Sequence, residues 1–296
     1  MDRKTTRDFH PEVLRLFDRY VHGQLDRRGF LQAAAGFAAG ASGAAGLLAA
    51  LSPQFVEARQ VEPDDPRLAT SRPRFESPQG YGEAGGYLVR PTAETGPLPL
   101  VLVVHENRGL NPHIEDVARR VALAGYLAFA PDALLPIGGY PGDEDAARAK
   151  FQTLDQTKTR QDMLAAARWL QGHALGNRRL GVVGFCYGGA IANFLATRLP
   201  DLQAAAPFYG GAPDPADVPA IKAELLVVLA ADDPRVNASW PGYQAALEAA
   251  GTDYTLLQPG GTVHGFHNDT TPRYDRDAAH LAWDATLELF ERRLKG

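Results

Sequence analysis

The chain has 296 residues and only one cysteine, Cys186. A lone cysteine excludes an intramolecular disulfide framework, and without a C-x-x-C pair there is no structural zinc knuckle. Basic character is also scarce: the formal net charge is −5, and no stripe of Lys and Arg is interleaved with aromatics, which argues against a nucleic-acid partner. No internal repeat is visible. What remains is a chain 45% hydrophobic, long enough for one large α/β domain plus an extension.

The cysteine stands in Gly184-Phe185-Cys186-Tyr187-Gly188-Gly189, after the apolar run Leu180-Gly181-Val182-Val183 and before Ala190-Ile191-Ala192-Asn193-Phe194-Leu195. This order predicts a buried strand, a sharp turn with the cysteine at its apex, and a helix. A thiol there sits at the C-terminal edge of a sheet, facing helix N–H groups able to hold an oxyanion. Gly184 and Gly188 allow the two flanking segments to approach without Cβ clashes. The competing reading is a cysteine used only for packing, a common fate of free thiols.

The N-terminus carries Arg27-Arg28-Gly29-Phe30-Leu31 followed by Ala33 to Leu51, a charge-free tract rich in Ala and Gly. An Arg pair before Phe-Leu and a mildly apolar tract resembles a twin-arginine export signal. Residues 1–58 are therefore expected to be a leader read by the twin-arginine translocation machinery, with cleavage near Val56-Glu57-Ala58 or near Ala49 to Ser52. The expected location is periplasmic. The tract from Leu31 to Leu51 is also long enough to span a bilayer weakly, so an uncleaved inner-membrane anchor is the alternative. With no cysteine near the cleavage region, a lipoprotein is excluded. Ahead of the Arg pair, Pro11 to Gly23 reads as a short amphipathic helix. Residues 59–84, rich in Pro, Asp, Arg and Gly, read as a linker or surface arm. The catalytic domain is expected over 85–296.

Within that domain, apolar runs alternate with helical periodicity. Strands are expected at 86–90, 99–104, 126–132, 203–209, 223–230 and 254–258, with helices from Asn111-Pro112, over about 143–171 with a break near Thr157, over 239–250 and over 276–294. Alternating strands and helices call for right-handed crossovers and a mainly parallel sheet with helices on both faces. The polar loop His105-Glu106-Asn107-Arg108-Gly109-Leu110 follows one strand, where sites gather in open α/β sheets. The loop Pro136 to Pro141 is a candidate border of the site.

Cys186, an aspartate and His264 fall at strand ends in the order nucleophile, acid, histidine that this topology produces. A thiol needs a base to become a thiolate near neutral pH, and the base needs a carboxylate to fix its tautomer. The acid is Asp233 or Asp232. His267 neighbours His264, but without a third ligand no metal site is expected. His280 is expected on the surface. Tyr209 is a candidate pocket residue or a core aromatic.

The motifs His105 to Asn111, Gly184 to Gly189, Asp233-Pro234-Arg235-Val236 and His264-Gly265-Phe266 together resemble the dienelactone hydrolase family, a carboxymethylenebutenolidase-like branch of the α/β-hydrolase fold. The resemblance implies Cys186 as nucleophile, His264 as base, Asp233 as its orienting acid and Glu106 as a carboxylate that assists thiol activation. It also implies an oxyanion hole from the backbone N–H groups of Tyr187 and Asn107, and no cofactor. The family's carboxylate-binding arginine, four residues after the histidine, is replaced by Asn268, which leaves Arg273 or Arg148 as candidates for that task. Two classes of function follow. One is a cofactor-free hydrolase of a lactone or carboxylic ester; the other is a non-catalytic small-molecule-binding protein on the same scaffold. The absence of a resolving cysteine argues against a dithiol redox role.

Overall fold

The computed structural model describes residues 4–38 and 40–296. Its described residues form nine strands: β1 (Leu68–Ser71), β2 (Arg74–Ser77), β3 (Gly82–Pro91), β4 (Leu98–Val104), β5 (Leu127–Pro131), β6 (Gly176–Phe185), β7 (Leu202–Phe208), β8 (Glu224–Val228) and β9 (Tyr254–Leu257). They make one sheet in the order β1-β3-β5-β4-β6-β7-β8-β9, with β2 pairing β3 off this path. Every pair from β5 through β4 to β9 is parallel, while β1, β2 and β5 each pair β3 antiparallel. This is the mostly parallel α/β-hydrolase sheet with helices on both faces.

The strand sequences explain the layering. All seven residues of β4 are buried. Its side chains divide by the two-residue period of a strand: Leu100, Leu102 and Val104 join one core, and Val101 and Val103 the other. The helices Gln156–Gln171 and Tyr187–Arg198 cover the first face, and Pro112–Leu123 and Arg276–Phe290 the second. Helix starts follow their caps. Asn111 accepts from the Ile114 N–H at 3.2 Å with Pro112 at the first turn, and Asp155 accepts from Thr157 and Lys158. The long helical region breaks at residues 153–155, into Glu144–Gln152 and Gln156–Gln171.

Two expectations need correction. Residues 59–84 are more than a linker: they supply β1 and β2, and β3 begins at Gly82, ahead of Gly85. Their Pro and Asp content hid strands only four residues long, held by pairing to β3 and by Phe75 stacking on Trp169 at 5.0 Å. The tract Leu31 to Leu51 is also no single span. It divides between the helix Arg27–Ala34, a 3-10 turn Ala35–Phe37 and the helix Gly40–Leu51. Among the described residues no helix is long and apolar enough to cross a membrane.

The N-terminal helices Pro11–Val21, Arg27–Ala34 and Gly40–Leu51 share a small core of their own, built on Phe9, Val13, Phe17, Tyr20, Phe30, Leu48 and Leu51. Asn107 and Arg108 both donate to the Val21 carbonyl, and the Gln54 N–H donates to the Thr270 carbonyl at 2.8 Å. This segment rests on the C-terminal edge of the sheet.

Candidate active site

Strand β6 ends at Phe185, and the chain turns at once into the helix Tyr187–Arg198. Between them Cys186 has φ 55° and ψ −109°, a backbone conformation that costs a non-glycine residue on the order of 1–3 kcal/mol. The surrounding glycines make it sterically feasible. A Cβ on Gly184 would lie 2.0 Å from the Gly188 carbonyl oxygen, and one on Gly188 would lie 2.2 Å from the Val104 oxygen. The strain lifts the thiol out of the sheet plane to a partly buried position on the wall of a cavity of about 340 Å³.

The loops after β8 and β9 are fastened together. The Ala231 N–H donates to Thr262 Oγ1 at 3.0 Å, the Asp232 N–H donates to the Thr262 carbonyl at 2.9 Å, and Asp232 bridges to Val263. This seam puts Asp233 and His264 in contact, with Asp233 Oδ2 2.5 Å from His264 Nδ1. Asp233 also caps the short helix Pro234–Asn237 through Oδ1, so capping and pairing are done by one carboxylate. Asp232 is exposed and is not in this pair. His264 Nε2 is buried without a hydrogen-bond partner among the described residues.

The third expected carboxylate, Glu106, lines the cavity and accepts a hydrogen bond from Asn268 Nδ2 at 2.9 Å. Asn268 thus has a task that composition and spacing did not signal. Arg108 is engaged elsewhere, with Asn107 Oδ1 at 2.6 Å and Glu144 at 3.6 Å. Tyr187 opens its helix, where amide N–H groups lack intrahelical acceptors, and Asn107 lines the cavity.

Of the two candidate arginines, Arg273 lines the cavity; it is buried, stacks over Phe17 at 5.3 Å, and its Nε and Nη1 have no partners among the described residues. Arg148 is occupied by the N-terminal segment, stacked at 4.1 Å on Tyr20 and bonded to its carbonyl. Tyr209 does not face the cavity. It is fully buried with its ring 4.9 Å from that of His264, and so supports the histidine from behind. Its neighbour in the core, His267, stacks on Phe185 at 4.9 Å, and His280 is exposed. The loop through Tyr140 and Gly142 does border the cavity.

The N-terminal segment contributes residues that sequence reading assigned no part in the site. Phe17, Tyr20, Val21, Arg27 and Phe55 line the cavity. His22 Nε2 lies 3.5 Å from Cys186 Sγ, while its Nδ1 lies 2.8 Å from the Asp18 carbonyl and 3.3 Å from Asp18 Oδ1. Only a histidine one turn after an acid on the same helix hinted at this, a spacing too common to single out.

The electrostatics favour charge separation. Burial pushes the Cys186 thiol up, but the positive charges of His264 and His22 outweigh it and bring the thiol down to about 5. Burial opposes protonation of His264, yet the thiolate and Asp233 leave it raised. His22 is raised to about 10 by Asp18 and the thiolate, again against burial. His267, by contrast, is lowered to about 3 by burial and by the positive charges of His113 and Arg120.

Comparison with known proteins places this geometry in a family. Residues 84–294 match the dienelactone hydrolase family, and residues 1–39 separately match a YqhI-like family. A Yersinia pestis protein, assigned by name as a carboxymethylenebutenolidase, is 30% identical over 227 residues, covering 72% of this chain and 85% of its own length. An Escherichia coli (strain K12) chain, assigned by name as the hydrolase fragment YghX, is 54% identical over 107 residues, which is 36% of this chain and 92% of that one. Among solved structures, a dienelactone hydrolase-like promiscuous phosphotriesterase, P91, from metagenomic libraries superposes with a TM-score of 0.66 at 25% identity, covering 77% of this chain and 99% of its own. With the fold and most of its length accounted for in this way, the chain belongs to the dienelactone hydrolase family and is a hydrolase.

Proposed function

We propose that the protein hydrolyses a lactone or carboxylic ester, without a cofactor, through a thiolate on Cys186. The observation that carries this reading is the His264–Asp233 pair at 2.5 Å beside a cysteine held in a left-handed turn. The thiolate attacks the carbonyl carbon, and the carbonyl electron pair moves to oxygen, where the backbone N–H groups of Tyr187 and Asn107 receive it. Loss of one such donor typically slows a reaction by about 100- to 1,000-fold. The C–O bond of the ester or ring then breaks as the departing alkoxide oxygen takes a proton from an imidazolium beside Cys186, leaving a thioester on the cysteine. His264, its tautomer set by Asp233, takes a proton from water as the water oxygen attacks the thioester, and the acid departs with the thiolate restored.

The cavity also favours a charge on the substrate. Arg273 is a buried guanidinium that lines a cavity of about 340 Å³, a size suited to a small ligand, and two of its nitrogens have no hydrogen-bond partner among the described residues. An ester or lactone bearing a carboxylate would satisfy it, in place of the arginine that Asn268 replaces. A panel of aryl esters and lactones, with and without a carboxylate, tests the reading on wild type and Cys186→Ala. Turnover by the wild type and none by the variant is the expected outcome; equal turnover by both would reject the thiolate mechanism.

A further inference from the structure

Beside Cys186 lies a second imidazole, that of His22 with Asp18 close by, which the family resemblance does not assign. His22 follows the helix Pro11–Val21 and is tied to its last turn through its own N–H, which donates to the Asp18 carbonyl at 3.0 Å. Its ring resembles that of His264 in outline: Nδ1 lies 2.8 Å from the Asp18 carbonyl and 3.3 Å from Asp18 Oδ1, and Nε2 lies 3.5 Å from the sulfur and 2.9 Å from Arg235 Nη2. The two rings meet edge to face at 4.7 Å. Cys186 is therefore flanked by two histidines, each with its own aspartate, from segments far apart in sequence.

We propose that His22, oriented by Asp18, is a second catalytic residue at Cys186, and that the N-terminal segment is accordingly a working part of the active site. This rests on the thiolate reading above and divides its proton transfers. His22 Nε2 takes the thiol proton: the S–H bond breaks, its electron pair stays on sulfur, and an N–H bond forms. After the thiolate attacks and the tetrahedral adduct collapses, the departing alkoxide takes that proton, which returns His22 to its neutral form. His264 handles the second half-reaction. It removes a proton from the attacking water and returns it to the thiolate sulfur as the carboxylic acid leaves. Ester and water go in, acid and alcohol come out, and both histidines and the thiol end as they began.

Three features of the structure support this division. His264 has its Nδ1 fixed on Asp233, which leaves Nε2 on the Cys186 side for the proton transfers with water and sulfur. The segment carrying His22 is locked to the catalytic loops: Asn107 and Arg108 both hold the Val21 carbonyl, immediately before His22. The same segment supplies Phe17, Tyr20 and Phe55 to the wall of the cavity that Cys186 lines, so it helps to enclose a substrate there. Cleavage near Val56 to Ala58 would remove all of these groups, so the proposal requires residues 1–58 to remain in the active enzyme.

Sγ and one ring nitrogen each from His22 and His264 lie within 4.8 Å of one another, a grouping also open to a soft metal ion. Arg235 weighs against that use. Its Nη2 is 2.9 Å from His22 Nε2, a permanent positive charge against one of the three would-be ligand atoms.

The test uses the full chain and an activated aryl ester, with the acylation burst and the steady-state deacylation measured separately. His22→Gln is expected to slow the burst about 100-fold, the size typical of general acid–base catalysis, while deacylation stays within about twofold. His264→Gln is expected to slow deacylation preferentially, and Asp18→Asn to give a smaller loss of burst rate in a fold checked by circular dichroism. Alkylation of Cys186 by iodoacetamide across pH gives a readout without any ester: its midpoint should rise in His22→Gln. An unchanged burst and an unchanged midpoint would overturn the proposal. So would faster turnover by His22→Gln, which would make the segment a plug, or loss of wild-type activity on chelation, which would make the cluster a metal site. Failure of the thiolate reading shows separately, as a burst that survives Cys186→Ala.

Discussion

Asn268 Nδ2 donates to Glu106 Oε2 at 2.9 Å, joining the loop after β9 to the loop after β4. Asn268 is held in turn by Thr270, whose N–H and hydroxyl both donate to its Oδ1 at 3.0 and 2.5 Å. The amide therefore holds the carboxylate in place on the cavity wall. A carboxylate free to approach a thiolate would disfavour the anion.

Asn268→Ala should accordingly raise the pH midpoint of Cys186 alkylation, by about half a unit or more. The double variant Asn268→Ala/Glu106→Gln should bring it back, since the freed charge is gone. An unchanged midpoint in the single variant would mean that Glu106 is held by its own loop without the asparagine.

Asp233→Asn should lower kcat/KM by about 100- to 10,000-fold, because the amide cannot stabilise an imidazolium and can reverse the His264 tautomer. Asp232→Asn should leave activity near that of the wild type, since this residue is exposed and makes no contact with His264. Measured side by side, the two isosteric changes separate the adjacent acids.

The thiol of Cys186 should titrate near pH 5 in the folded protein, so that alkylation is already on its plateau at neutral pH. The same shift links pH to stability. With the folded pKa below the ordinary thiol value of 9.0, folding favours the thiolate. That contribution is fully present above the ordinary value and is lost as the pH falls towards 5. His22, raised from 6.5 to about 10, contributes in the opposite sense: fully below 6.5, and lost as the pH rises to 10. Thermal melts of wild type and Cys186→Ala across pH 4 to 10 should show the acid-side loss in the wild type alone.

Arg273→Gln should raise KM for a carboxylate-bearing ester by about 10- to 100-fold, the worth of one charge-assisted hydrogen-bonded contact, and leave a neutral aryl ester within about twofold. Equal losses on both substrates would assign Arg273 to packing against Phe17 instead of to recognition.

Much of the catalytic half of the site is legible in the chain because short-range rules govern it. A cysteine between glycines after an apolar run can only be a strand-to-helix turn if the run is buried, and the structure puts Cys186 at φ 55° with the glycines at backbone contact distance. The order of Cys186, Asp233 and His264 follows from topology, since parallel strands present their C-terminal ends on one edge. The same local logic failed at residues 59–84, where the polar composition concealed β1 and β2, because edge strands gain their stability from partners.

What tertiary structure alone decided is of a different kind. The choice between Asp232 and Asp233 depends on the seam at Thr262, which turns one carboxylate inward and the other out. The roles of Asn268 and Arg273 depend on which loop each faces, and Tyr209 is buried in the core against His264. Above all, nothing local in the sequence assigned His22 a part in the site: Asp18 and His22 are an ordinary helical spacing. Only the packing of that segment across the sheet edge brings His22 to 3.5 Å from Cys186, a contact between residues 164 positions apart that no periodicity or motif encodes.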